Sequence, residues 1–172
     1  MGLVYDKSKI LETVEKNEHS EIDCLKNVVS VPTCYNKGHD MKPVVGLLTE
    51  EFKRRGYQVQ VFPTSGAPVV VAEMDLGMGK TLLFYNHYDV QPPEPLELWK
   101  SPPFSAEERE GKIYARGVSD NKGNIVARLK AIEAIRATLG EIPVNLKMFV
   151  EGGEEIGSPG LFEFVKGNKA LL

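Results

Sequence analysis

The sequence has 172 residues, with 21 Lys+Arg against 24 Asp+Glu for a net charge of −3, and is 42% hydrophobic and 26% charged. That balance fits one compact globular domain and excludes a disordered, fibrous or collagen-like chain. With a pI near 5.7 and no basic run longer than Lys53-Arg54-Arg55, the basic stripe that phosphate-backbone binding needs is missing, so nucleic acid is not an expected partner. Cys24 and Cys34 are too few for a disulfide scaffold and too far apart for a CxxC pair, and they read as reduced packing residues. The segment Met1 to Lys7 has no basic region leading into an apolar run, and no later stretch approaches the roughly 20 apolar residues of a membrane span. Gly2 does not open a myristoylation signal, because Asp6 and Lys7 stand where Ser or Thr is wanted. A cytoplasmic protein without a membrane partner is the expectation.

In chain order, helical spacing from Ser8 to Val29 (Ile10, Leu11, Val14, Ile22, Leu25, Val28, Val29) predicts a first helix that Pro32 closes. A second helix is predicted from Met41 to Arg55, stopped by Gly56. Three strand-like runs follow at Tyr57 to Phe62, Pro68 to Met74 and Thr81 to Tyr85, the last with the apolar content of a buried central strand. Gln91 to Glu110, rich in Pro and carrying Trp99 and Phe104, reads as a long functional loop. After an extended segment at Lys112 to Ala115, the residues Ile125, Leu129, Ile132, Ile135 and Leu139 predict a third helix that Gly140 ends. A strand from Val144 to Val150 follows, and a last helix begins near Ser158-Pro159. The alternation predicts an α/β domain of three layers, α/β/α, around a mostly parallel sheet.

Three clusters carry chemistry. Off the end of the Thr81 strand, His87 and Asp89 fall on one face with Tyr88 on the other. Asp89 is placed to hold the ring of a metal-binding His87, although His-x-Asp alone also suits a polar strand end facing solvent. Asp120 lies in a Gly-flanked turn ahead of the third helix, where it either serves chemistry or caps the helix. Glu154 and Glu155 follow the Val144 strand in a glycine-rich bend, a pattern shared with solvated acidic turns. All three clusters sit at strand ends or a helix start, where open α/β sheets gather ligands. A His, an Asp able to bridge and two adjacent Glu suit hydrolysis by divalent metal, one Glu binding metal and the other moving a proton.

The runs His87-Tyr88-Asp89-Val90-Gln91-Pro92, Tyr114-Ala115-Arg116-Gly117-Val118-Ser119-Asp120-Asn121-Lys122-Gly123 and Glu151-Gly152-Gly153-Glu154-Glu155-Ile156-Gly157-Ser158 together resemble a co-catalytic zinc family. That family includes carnosinase-type dipeptidases, aminoacylase, glutamate carboxypeptidase, acetylornithine deacetylase and succinyl-diaminopimelate desuccinylase. Val90-Gln91-Pro92-Pro93 and Trp99 with Pro103-Phe104 lean toward the dipeptidases. The resemblance implies a zinc-exopeptidase-like fold and two divalent ions, zinc first, with cobalt or manganese as alternatives. It implies that His87 binds one ion, Glu155 the other, Asp120 bridges both, Glu154 is the general base and Asp89 orients His87. It also implies a cis peptide between Asp120 and Asn121, and a small peptide or N-acyl amino acid as substrate.

Family members are much longer and complete the site with a later Asp and a later His, whereas this sequence has no Asp after Asp120 and no His after His87. The expectation is therefore a truncated chain, residues 1–172 forming the N-terminal part of a catalytic domain without its lid and C-terminal half. Weak metal affinity, negligible activity in isolation and self-association through an exposed sheet edge are expected with it. A non-catalytic domain of the same fold is the alternative, and deacylation is the alternative to dipeptide cleavage. His19 and His39 read as surface or capping residues. Leu76-Gly77-Met78-Gly79-Lys80-Thr81 lacks the first Gly of a P-loop and leads into a strand, and Gly117-Val118-Ser119-Asp120-Asn121 lacks the last Gly of a nucleophile elbow.

Overall fold

The computed structural model describes residues 6–171. The N-terminal residues read above for a targeting signal, Met1 to Tyr5, lie outside that range. The predicted first helix is two: α1 (Lys7–Lys16) and α2 (Glu18–Val29), broken at Asn17, whose side chain turns back to Thr13 O. The break falls where the apolar stripe lapses between Val14 and Ile22. α1 buries no side chain completely. α2 presents Cys24, Val28 and Val29 to the interior.

α3 (Lys42–Arg54) carries Val44, Leu48 and Phe52 on its inner face. It ends at Gly56, whose φ of +90° is a left-handed stop that glycine adopts without a Cβ penalty. The strands are β1 (Gln58–Phe62), β2 (Val69–Met74) and β3 (Thr81–His87). Apart from a 3-10 turn at Leu96–Leu98 the Pro-rich segment keeps its irregular course to Ala106, but its end forms β4 (Glu107–Arg109), which turns through Glu110-Gly111 into β5 (Lys112–Tyr114). α4 (Lys122–Leu139) stops at the left-handed Gly140, and β6 (Asn145–Glu151) follows. The last helix, α5 (Leu161–Gly167), starts after Gly160. Ser158 does not cap it as the sequence suggested, because its hydroxyl donates instead to Glu151.

The main sheet runs β1-β2-β6-β3. Two of its pairings are antiparallel and only β3–β6 is parallel, so the sheet is mixed where a mostly parallel one was expected. The link from Pro63 to Pro68 is too short for the crossover that parallel neighbours need. β3 and β6, by contrast, are joined through α4. Alternation divides the side chains between two faces. Val70, Ala72, Met74, Leu146, Met148 and Val150 meet α2, α3 and α4. On the other face Val69, Val71 and Phe149 meet Phe164 of α5. The layers are thus α/β/α, with a thin second helical layer.

β3 is an edge strand rather than a central one. Leu82, Leu83 and Tyr85 are 46%, 40% and 45% exposed. Both cysteines are free and buried, as expected, and His39 caps a loop by accepting the Cys34 N–H at 3.0 Å. No helix among the described residues is long and apolar enough to cross a membrane.

Candidate metal centre

The parallel register sets His87 opposite Glu151, so β3 and β6 release their carboxyl ends side by side, where open α/β sheets place their ligands. The chain leaving β3 is pinned at once. Tyr88 N–H donates to Glu151 O at 2.8 Å, Thr33 Oγ1 donates to Tyr88 O at 2.7 Å, and Tyr88 OH donates to Pro68 O at 2.7 Å. The bend after β6 passes directly over the Tyr88 ring. A Cβ on Gly152 would lie 2.2 Å from ring carbons, so this position admits glycine for lack of space.

Asp89, fully buried, organises the centre. Its Oδ1 accepts the Glu154 N–H at 3.2 Å and its Oδ2 the Glu155 N–H at 3.0 Å. Oδ1 also lies 3.3 Å from His87 Nδ1, which is 3.2 Å from Asp89 O as well. One carboxylate therefore aims the imidazole and fixes the 3-10 turn Glu154–Ile156 that carries both glutamates. The sequence pattern anticipates the first contact and not the second.

With Nδ1 committed to Asp89, His87 Nε2 faces the open side. It lies 3.0 Å from Asp120 Oδ1 and 3.7 Å from Glu154 Oε2. Asp120 does not cap α4, whose N-cap is Asn121 without a side-chain bond, and its carboxylate is turned to the imidazole. The Asp120–Asn121 peptide is cis, as the resemblance implies. Glu155 completes the group: His87, Asp120 and Glu155 each offer a ligand atom, all within 4.8 Å of one another. All five residues singled out in the sequence thus converge.

The donor set fits a divalent cation. One imidazole nitrogen and carboxylate oxygens are the ligands zinc accepts. Among the described residues no Lys or Arg pairs with Asp120, Glu154 or Glu155, and His87 is the cationic neighbour that Asp120 and Glu154 have at ion-pair distance. The surplus negative charge registers on the imidazole. Burial pulls the His87 pKa down, but the hydrogen bond and charge of Asp89, joined by the charge of Glu154, outweigh it and lift the ring from 6.5 to about 9. A cluster of anions that draws a proton onto a histidine is one that a metal ion would neutralise in its place.

Residues not singled out from the sequence hold this group in place. Gln91 Nε2 donates to Glu155 Oε2 at 2.9 Å and to Glu155 O at 3.1 Å. Lys122, completely buried, donates from Nζ to Val31 O at 2.6 Å and anchors the start of α4. Glu151 accepts from the Tyr85 and Ser158 hydroxyls.

The model of peptidase family M20/M25/M40 matches residues 83–171, more than half of the chain and the part that holds all of these groups. The chain belongs to that family. Within it, this M20 chain is 43% identical over 103 residues to the Beta-Ala-His dipeptidase of Homo sapiens, a match covering 59% of this chain and 20% of the other. It is 34% identical over 176 residues to the Cys-Gly metallodipeptidase of Candida albicans, covering 91% of this chain and 36% of that one. The crystal structure of an M20 family metallo-carboxypeptidase from Sulfolobus solfataricus matches with a TM-score of 0.82 at 40% identity, over 87% of this chain and 34% of that one. The chain therefore spans about a fifth to a little over a third of the relatives it matches.

Proposed function

We propose that this M20 chain is the metal-binding N-terminal part of the catalytic domain of a hydrolase that cleaves the peptide bond of a dipeptide. The carrying observation is the convergence of His87, Asp120 and Glu155 beside Glu154, with no Lys or Arg among the described residues at ion-pair distance from these carboxylates. The dipeptidase names of two relatives support the substrate class, and the fraction of those relatives that the chain spans supports its being a part.

In this reading His87, Asp120 and Glu155 would hold the divalent metal, zinc by preference, with His87 and Glu155 serving separate ions and Asp120 serving both. When bound, such ions supply Lewis acidity toward a carbonyl oxygen and toward an attacking water. The chain's own residues supply the rest. Asp89 keeps His87 Nδ1 protonated and Nε2 free to ligate. Glu154, held on the same turn as Glu155 but nearer the imidazole face, takes a proton from water and returns it to the leaving amine. The chain would contribute three metal-ligating side chains, so each ion would find two protein ligands here against the three usual for catalytic zinc. Turnover by these residues alone is negligible.

Zinc titration by calorimetry, on the folded wild type beside Asp120→Ala, is the test. Binding that is lost in the variant is the expected result. A wild type that binds no zinc, or a variant that binds as well, overturns the metal reading. Dipeptide hydrolysis by the isolated chain at ordinary enzyme rates of about 1–10³ s⁻¹ overturns the partial-domain reading. Residual cleavage, however slow, of N-acyl amino acids in preference to dipeptides would move the substrate class to a deacylase.

A further inference from the structure

His87 and Asp120 come from opposite ends of a long excursion, one from the tip of β3 and the other from the turn before α4. The 3.0 Å between Nε2 and Oδ1 needs something other than that contact to hold it, because two metal ligands cannot keep a mutual hydrogen bond once each turns to an ion. The residues next to each of them in sequence provide it. Asn86, 1% exposed, directly precedes His87, and Asn121 directly follows Asp120. The Asn86 side-chain Nδ2 donates to Asn121 Oδ1. Strand tip and turn are thus fastened to each other one residue away from the two ligands.

Arg128 sets the polarity of this contact. It lies nearly two turns along α4 from Asn121, and its Nη1 donates both to Tyr85 O at 2.8 Å and to Asn86 Oδ1. Its guanidinium stands 5.4 Å from the centre of the Phe84 ring. A guanidinium has donors only, so the Asn86 oxygen must face Arg128 and its nitrogen must face Asn121. Asn121 must then present its oxygen. Each amide has one orientation that satisfies both contacts, although amide side chains are otherwise free to be placed either way round.

We propose that Asn86 and Asn121, keyed by Arg128, form a clamp that fixes the separation of His87 and Asp120 ahead of metal binding. Asn86, Asn121 and Arg128 are then positioning residues: they touch neither metal nor substrate and act through the two ligands beside them. The inference rests on the reading of His87, Asp120 and Glu155 as metal ligands.

The probe is Co²⁺ alone, titrated into the full chain and followed by its visible absorption. The proteins are wild type, Asn86→Ala, Asn121→Ala, the double variant and Asn121→Asp, each with denaturant unfolding measured without metal. Outer-sphere partners of metal ligands are worth about 10- to 100-fold in affinity, so each alanine variant is expected to bind Co²⁺ about that much more weakly. The double variant should be no weaker than the worse single one, since both remove the same bond. Asn121→Asp keeps the acceptor oxygen and should bind at least as tightly as wild type. Should buried Asn86→Ala fail to fold, the half-exposed Asn121 pair still decides. Alanine variants that bind Co²⁺ like wild type, whatever their stability, overturn the clamp and leave the metal reading standing. A wild type that binds no Co²⁺ overturns both.

Discussion

Replacing Asp89 by Asn changes one oxygen to an NH₂ group at the point where three donors meet. In the wild type, Oδ1 receives the Glu154 N–H and faces His87 Nδ1, while Oδ2 receives the Glu155 N–H. An asparagine has one acceptor oxygen. If it faces Glu154 and His87, its NH₂ opposes the Glu155 N–H. If it is reversed, it opposes two donors. The less damaging orientation loses one hydrogen bond to a charged group and strands a partly buried backbone N–H against a fully buried side chain, a loss of about 2–3 kcal/mol. Asp89→Ala removes all three contacts and is expected to lose about 3–5 kcal/mol, the range for breaking a buried charged pair. The same change loosens both His87 and the turn bearing Glu155, so zinc affinity should fall about 10- to 100-fold in Asp89→Asn. Urea unfolding without metal and zinc calorimetry read the two effects separately. Asp89→Asn with unchanged stability and unchanged affinity would refute the reasoning, since the carboxylate would then be neither organising the turn nor aiming the ring.

Two further outcomes follow from regions away from the centre. Glu51 accepts from Arg54 at 3.0 Å and from buried Arg55. Burial pushes its carboxyl up, but the hydrogen bonds from Arg55 and Arg54 and the charge of Arg55 prevail and hold it at about 2, below the ordinary 4.5. A carboxyl whose pKa is lowered on folding stabilises above its unfolded value, and the contribution disappears as pH falls through the folded one. The stability gap between wild type and Glu51→Gln should therefore be full near neutral pH and close between about pH 4.5 and about 2; a gap constant in acid speaks against the pairing. At the sheet edge, exposed Leu82, Leu83 and Tyr85 leave β3 open to strand pairing. Sedimentation should show concentration-dependent association that Leu83→Lys abolishes, and a monomer at every concentration would remove β3 as an adhesive edge.

What the sequence discloses here, and what it withholds, divides along a physical line. Periodicity reports which face of an element is apolar, so the inner stripe of α3 was legible, and so was the placing of His87 and Asp89 on one side of their strand, whereas the continuous apolar runs of β2 and β6 mark strands without telling their two faces apart. It does not report whether the neighbour that would cover an apolar strand belongs to the same stretch of chain. Leu82-Leu83-Phe84 therefore reads as a central strand and stands at an edge. Connection length carried information that apolar content did not: the short link from Pro63 to Pro68 already demands antiparallel neighbours, and Glu110-Gly111 is a hairpin turn for β4 and β5. The chemistry-bearing side chains were legible because few residue types bind metal. Their supports were not, since Gln91, Asn86 and Asn121 are ordinary amides whose partners are chosen by the parallel register of β3 on β6 and by the turn into α4. Asn86 and Asn121 nonetheless flank His87 and Asp120 one residue away. In a site built from strand tips, the position beside a ligand is where the backbone can be tied without occupying the ligand's own coordination, and polar residues there are the places to look for the tie.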